Sequence, residues 1–247
     1  MENQELRSHI LELYTKTKKR LGAAKICVVL QRDYGISISV GRVYRLMKGM
    51  QLPKMSTVKP KATAQNNTGA MACQNLLNLN FNPRLPNQVW ASDITYIKTA
   101  AGFVYLCVIM DLFARKIIAF RLAYQMDATL VTDTLKDAVA KRRPSTILFH
   151  SNRGSQYTSR QFRRMIDSMN FTQSFSNPGH PWDNAVVEAF FKCLKHEELN
   201  RRSFLNIYDL KLAVFEYIHH FYNRIRPHSA NNMMTPDQKE KLFTKSL

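Results

Sequence analysis

Residues 90–123 read WASDITYIKTAAGFVYLCVIMDLFARKIIAFRLA, and this stretch decides the fold. WASDITYIK is rich in β-branched and aromatic residues and reads as a strand. AAG is a turn. FVYLCVIMD is an unbroken apolar run, which belongs to a strand covered on both faces, and KIIAFRLA is a third strand. Downstream, the pattern alternates. DATLVTDTLKDAVAKR is an amphipathic helix opened by Asp127 as its cap. TILFH is a short strand, SRQFRRMIDSM a helix, FTQSFS a strand and PWDNAVVEAFFKCLKHEEL a helix. Three strands followed by helix, strand, helix, strand and helix is an α/β order.

Upstream, the character differs. ELRSHILELYTKTKKR reads as a helix with Leu6, Ile10 and Leu13 at helical spacing. GAAKICVVLQRDY follows, with Ile26, Val29 and Leu30 inward and Gly35 as its stop. Ser39 caps a third helix, VGRVYRLMKGM, expected to turn Val40, Val43 and Met47 to one face. Two helices, a short turn and a basic third helix form a helix-turn-helix pattern, shared by many three-helix bundles. In that reading Arg42, Arg45 and Lys48 face DNA. Residues 53–88 are polar and aperiodic, and read as a linker. The predicted divisions are 1–52, a helix-turn-helix; 53–88, linker; 89–200, the α/β core; and 201–247, a helical extension. In the extension Leu205, Leu212, Phe215, Ile218 and Phe221 are in helical register, and Arg226 is offered as a phosphate contact.

Composition narrows the class. The chain has 247 residues, 45% of them hydrophobic and 11% aromatic, enough to bury a core. Lysine and arginine number 36 against 18 acids, a formal charge of +18. Such an excess attracts polyanions, above all nucleic acid. Residues 1–60 are the most basic quarter. Cys27, Cys73, Cys107 and Cys193 are far apart and form no CxxC pair, so a disulfide scaffold or zinc finger is not expected and a reducing cytoplasm is. No apolar run approaches 18 residues and the N-terminus lacks a signal peptide's apolar stretch, so no membrane association is expected.

The element order matches a ribonuclease-H-like architecture, and three positions in it carry chemistry. Asp93 sits mid-strand, where a carboxylate is costly unless paired or metal-bound. Asn152 lies in HSNRGSQYTS, at the end of a strand, where ligands of open α/β sheets bind. Glu188 lies in a helix. Singly, each has a bland reading: an edge aspartate, a loop asparagine, a solvated glutamate. Phosphoryl transfer needs two divalent ions about 4 Å apart held by bridging carboxylates, and a strand, a neighbouring strand end and a helix are elements that can supply such ligands.

WASDITYI, HSNRGSQY and PWDNAVVEAFFKCLKHE resemble the integrase-core (OrfB-type) transposases of bacterial insertion sequences of the IS-three family, and more distantly retroviral integrases. The 35 residues between positions 152 and 188 match the family's DD(35)E spacing. NLLNLNFNPRLPNQVW, FYNRIRPHSANNMMTP and RLMKGMQL also fit, so the likeness runs from about residue 20 to 240. It implies a ribonuclease-H-like integrase core, catalytic and metal positions at Asp93, Asn152 and Glu188, and two Mg²⁺ ions with Mn²⁺ as substitute. It implies cleavage and joining of double-stranded DNA at transposon ends and target, a homo-oligomer on DNA, and fusion or partnership with an upstream-frame DNA-binding protein. It also implies a bacterial, nucleoid-associated location. Lys192, Lys195, Arg153, Trp182 and Asn184 are its expected DNA contacts, Trp182 by stacking on a base. Tyr157, Trp182 and Phe190 are expected around the site, with His150 orienting its loop. Asn184 is expected to hydrogen-bond Glu188 or the loop.

One residue departs from the pattern. The family has aspartate at the second acidic position and this chain has Asn152, either engineered or inherited in a decayed or repurposed copy. Asparagine has nearly the same shape but no charge. The chain is therefore expected to fold as a transposase and to be nearly inert. The alternatives are a non-catalytic DNA-binding regulator on the same fold and, against the basic N-terminus and the 35-residue spacing, a hydrolase of RNA–DNA hybrids.

Overall fold

The computed structural model describes residues 3–52 and 73–245. Most of the predicted linker, 53–72, lies outside the described residues. The N-terminal unit is α1 (Asn3–Lys16), α2 (Ala23–Tyr34) and α3 (Val40–Gly49). Leu6, Ile10, Leu13, Ile26, Val29 and Leu30 are buried, as their spacing predicts. Gly35 closes α2 in the left-handed region, φ 67°, donating its N–H to Leu30, a conformation that costs glycine nothing. The Ser39 hydroxyl accepts from Arg42 N and caps α3. Its inward face differs from the expectation. Val43 and Leu46 are buried, whereas Val40 is exposed. Position 40 opens the helix, beyond the reach of the packing partners.

The core is a five-stranded sheet ordered β3-β2-β1-β4-β5. Strands β1 (Val89–Thr99), β2 (Gly102–Asp111) and β3 (Lys116–Ala123) form an antiparallel meander. After α4 (Ala128–Arg142), strand β4 (Leu148–Ser151) pairs parallel to β1. After α5 (Ser155–Thr158) and α6 (Arg160–Ser168), β5 (Thr172–Phe175) pairs parallel to β4. The Asp127 side chain caps α4 by accepting from Leu130 N. The apolar run of β2 is divided between two cores. Leu106, Val108 and Met110 face α7 (Ala185–Glu197), α8 (Ile207–Phe215) and the π-helical turn Glu216–Tyr222 that continues α8. Cys107 and Ile109 face α4 and α6, among Leu135, Phe149 and Phe162. Covering on both faces is why this strand does not alternate. A last helix, α9 (Pro236–Lys245), follows.

The N-terminal unit is not loosely tethered. One hydrophobic cluster runs from Ile10 and Leu30 through Leu194 and Phe221 to Val108 on the sheet. Arg20 is 2% exposed; its Nη2 lies 2.6 Å from Glu198 Oε2, and its guanidinium covers the Phe221 ring at 4.9 Å. Lys18 reaches Glu216 at 2.7 Å and Lys25 reaches Glu197 at 3.2 Å.

Glu197 is the centre of this seam. It accepts from Arg226 at 2.9 Å and from the Tyr217 hydroxyl at 2.7 Å. Burial by itself would raise its carboxyl, but the Arg226 hydrogen bonds and the charges of Arg226 and Lys25 outweigh it and hold the group below its ordinary value. Arg226 is therefore corrected from the surface phosphate contact expected of it. It is 8% exposed and committed to Glu197 and the Cys193 thiol. No described helix is long and apolar enough to cross a membrane.

Removing one partner of a buried pair leaves the other charge uncompensated, at about 3–5 kcal/mol. Glu197→Gln is expected to lose about that much in urea unfolding at pH 7. A group held below its unfolded value stabilises above that value and loses the contribution as pH falls through the folded one. The gap between the two proteins should therefore narrow below about pH 4.

Candidate active site

Strand pairing assembles the site. Trp90 sits beside Phe149 and Ala91 beside His150 on the parallel strands β1 and β4. Two residues beyond this last register pair come Asp93, in the middle of β1, and Asn152, just past the carboxyl end of β4. The Asn152 Nδ2 donates to Asp93 Oδ1 at 2.8 Å. Its orientation is fixed from the other side, because Gly154 N donates to Asn152 Oδ1 at 2.8 Å. A backbone N–H can only donate, so the amide oxygen faces Gly154 and the amide N–H faces the carboxylate. A Cβ on residue 154 would lie 2.9 Å from Asn152 Oδ1, so glycine is what allows this approach.

Burial raises the Asp93 carboxyl to about 7, with the nearby Glu188 charge adding to the rise and the Ile94 N–H and Lys195 opposing it. Glu188 is half-buried in the first turn of α7. The start of that helix is tied to β1: Asn184 Nδ2 donates to the Ser92 carbonyl at 3.1 Å. Asn184 is 4% exposed, so it is neither the partner of Glu188 nor a DNA contact as expected. Its role is to join α7 to the strand that carries Asp93.

Beneath Asp93, Ser92 Oγ donates to the Val108 carbonyl and Tyr157 OH lies 2.8 Å from it. With its proton engaged, the serine accepts from the tyrosine, which is 1% exposed. Tyr157 thus supports β1 from below. His150 is fully buried between Ser174 and Ser176, at 2.9 and 3.2 Å. Ser174 Oγ accepts from Leu76 and Leu77 N–H, so its hydroxyl donates to His150 Nδ1 and the neutral ring donates to Ser176. Burial lowers this imidazole to about 4, against an opposing pull from Asp183. Phe190 does not border the site. It packs on Tyr222 at 4.8 Å, in the core on the far side of α7.

The expected DNA contacts separate into two sets. Arg42, Arg45, Lys48, Lys192 and Trp182 are exposed, Trp182 at 53% and beside the His180 ring. Lys195 is half-buried, its Nζ 5.5 Å over the Tyr96 ring; burial lowers its amine while Tyr96 and Asp93 pull it back up. Arg153 is spent internally, Nε donating to the Ser176 carbonyl at 2.8 Å and Nη2 to that of Cys73 at 3.0 Å. Two residues escaped sequence reasoning. Asp183 is buried and accepts from Asn75 Nδ2 at 2.9 Å and Asn177 N at 2.8 Å, anchoring the loop before α7. In sequence it looks like a helix-start acid. Tyr96 gave no signal beyond an outward strand position.

Among the described residues no three His, Cys, Asp or Glu side chains gather as a metal group. The residues present do not fit a two-ion centre: an amide N–H occupies the contact that a bridging carboxylate and cation would make.

The fold and this paired-strand site define an integrase core joined to a DNA-binding unit, the architecture of polynucleotidyl transferases. Family profiles described as integrase core domain match residues 83–181 and 169–236, and one described as HTH-like domain matches 1–61. The chain is 36% identical, over 98% of its length and 95% of the relative's, to the transposase for insertion sequence element IS904 of Lactococcus lactis subsp. lactis (strain IL1403). It is 34% identical, over 96% of its length and 84% of the relative's, to transposase InsF for insertion sequence IS3A of Escherichia coli (strain K12). The simian T-cell lymphotropic virus intasome, solved in complex with PP2A regulatory subunit B56 gamma, shares the fold with a TM-score of 0.52 and 18% identity, over 94% of this chain and 74% of that one. The chain belongs to the insertion-sequence transposases of the IS-three family.

Aspartate at position 152 would set two carboxylate oxygens in direct contact with no cation between them. Asn152→Asp is expected to lower the melting temperature in EDTA, corresponding to a loss of about 1–3 kcal/mol, with the secondary structure unchanged by circular dichroism.

Proposed function

We propose that this chain is the scaffold of a DNA cleavage and strand-transfer enzyme that is inactive as it stands because Asn152 occupies the second acidic position. The observation that carries the reading is the 2.8 Å contact from Asn152 Nδ2 to Asp93 Oδ1. It closes with a hydrogen bond the place where a charge-balanced cation would be held. With aspartate restored, Asp93, residue 152 and Glu188 form the acidic set that Mg²⁺ or Mn²⁺ requires. The substrate is double-stranded DNA. Arg42, Arg45 and Lys48 would engage it through α3, and Lys192, Lys195 and Trp182 would meet it beside the site. The working divisions are 1–52 for DNA reading, 89–200 for chemistry and 201–247 for bracing. The middle of β1, the carboxyl end of β4 and the first turn of α7 would hold the reacting phosphate's surroundings rigid, and Asn184 and Tyr157 would maintain that alignment.

The decisive experiment pairs the chain with Asn152→Asp on terminal-repeat DNA, with Mg²⁺ or Mn²⁺, and resolves products on a denaturing gel. Recovery of the charge stabilisation that the missing carboxylate would supply, several kcal/mol, is expected to raise cleavage at least roughly 100-fold. Mg²⁺ should raise the melting temperature of the Asp form alone. Should both proteins bind DNA while neither cuts, either an upstream-frame partner is required or the second reading stands: a non-catalytic DNA-binding regulator, which a naturally inherited Asn152 also favours.

The DNA-reading assignment has its own test. Arg42→Ala, Arg45→Ala and Lys48→Ala together should weaken binding to end DNA. They should also flatten the slope of log K against log salt by about 0.9 for each phosphate that is no longer neutralised. An unchanged slope would remove α3 from the interface.

A further inference from the structure

Two exposed rings stand on the hairpin whose first strand carries Asp93. Tyr96 is 51% and Phe103 53% exposed. They meet edge to face, with ring centroids 5.7 Å apart and planes at 83°. An exposed aromatic ring by itself is ordinary. This pair stands where the sheet is open. β1 is paired with β2 from Trp90 to Thr99, but on its other side β4 reaches only as far as Ala91. From Ser92 onward no described strand lies along that edge of β1. Tyr96 comes three residues after Asp93, about 10 Å along the strand.

Cations flank both rings. Lys98 is exposed and stands directly across from Phe103 in the β1–β2 register, so the two share a face of the sheet. Lys195 reaches Tyr96 from α7, its Nζ 5.5 Å from the ring centroid. The charges of Lys195 and Asp93 act on each other, so this lysine links the rings to the site. Rings beside ammonium groups match the chemistry of a nucleotide strand, whose bases alternate with phosphates. An apolar protein surface laid over the same place would bury those ammonium groups without counter-charges, which is costly. Duplex DNA does not offer its base faces. They are stacked on their neighbours, and a protein meets phosphates and groove edges instead. A ring can take the face only of a base that has left the stack.

We propose that Tyr96 and Phe103 form a stacking platform for an unpaired nucleotide beside the Asp93 site, with Lys98 and Lys195 holding its neighbouring phosphates. The platform lies within about three nucleotides of Asp93, at roughly 3.4 Å per stacked nucleotide. A base captured there cannot re-pair, so the strand that it belongs to is held in place and the phosphate at the site keeps its position. The proposal rests on the DNA-acting reading above and requires no metal.

The test measures binding of the full chain, in EDTA, to two DNAs with the same duplex sequence. One is blunt. The other carries a single-stranded overhang of about three nucleotides, placed on each strand in turn and containing 2-aminopurine, a base whose fluorescence falls on stacking. The readout is the ratio of the two affinities within each protein, so a general change in DNA binding cancels. The chain is expected to bind one overhang DNA at least about 5-fold more tightly than the blunt duplex and to quench its probe. Phe103→Leu and Tyr96→Leu keep apolar bulk and remove a ring. Each is expected to bring the ratio toward one and to restore the fluorescence. Tyr96→Phe keeps the ring and should keep both signals. Circular dichroism of the variants should match the parent, because both positions are exposed. Equal affinity for blunt and overhang DNA, or a preference that survives both leucine variants, overturns the platform and leaves the DNA-acting reading standing. A chain that binds neither DNA overturns both.

Discussion

The carboxylate of Glu197 fixes more of this molecule than its position at the end of a helix suggests. It is buried, and Arg226, Tyr217 and Lys25 converge on it from three separate segments. Since α7 ends there, the far end of the helix that presents Glu188 is held by charge. Its near end is held by Asn184 on the Ser92 carbonyl and by the Asp183 anchor. A helix fixed at both ends against a sheet cannot rotate, so Glu188 keeps its aspect toward Asp93. Breaking such a buried pair costs far more than its presence contributes, which makes it a device of alignment more than of stability.

The site relies on a second constraint, the parallel pairing of β1 and β4. A shift of one residue in that register would turn Asp93 or Asn152 to the opposite face. Polar groups on both faces of the sheet guard against this. Tyr157 and Ser92 pin one strand, and His150, held neutral between Ser174 and Ser176, pins the other. These residues need not touch DNA to matter. They decide where the acids are.

Much of this was legible in the sequence. β3 and the start of α4 follow their patterns to the residue, because an apolar run and an aspartate cap are local signals. The strands that carry Asp93 and Asn152 were readable too, and their pairing brings the two side chains into contact with Glu188 nearby. What failed was the reading of polar residues at long range. Arg226, Arg153 and Asn184 look like surface donors, yet each turns inward to a partner far along the chain: Glu197, the carbonyls of Cys73 and Ser176, and Ser92. Periodicity says which face of a helix is apolar. It does not say which charge has a buried counterpart. The docking of the N-terminal unit was illegible for the same reason, since Lys18, Arg20 and Lys25 find their acids some 170 to 200 residues away.

That docking has a consequence for how such a protein can change over generations. Three cations near the start of the chain meet three acids near its end, with Arg20 sealed between them. Exchanging the first fifty residues for those of a relative that lacks these cations would strand Glu197, Glu198 and Glu216 without their counter-charges. The N-terminal unit of one relative cannot simply be transplanted onto the integrase core of another. The two halves must be inherited as a matched pair, and a change in one acid is tolerated only when its distant partner changes with it.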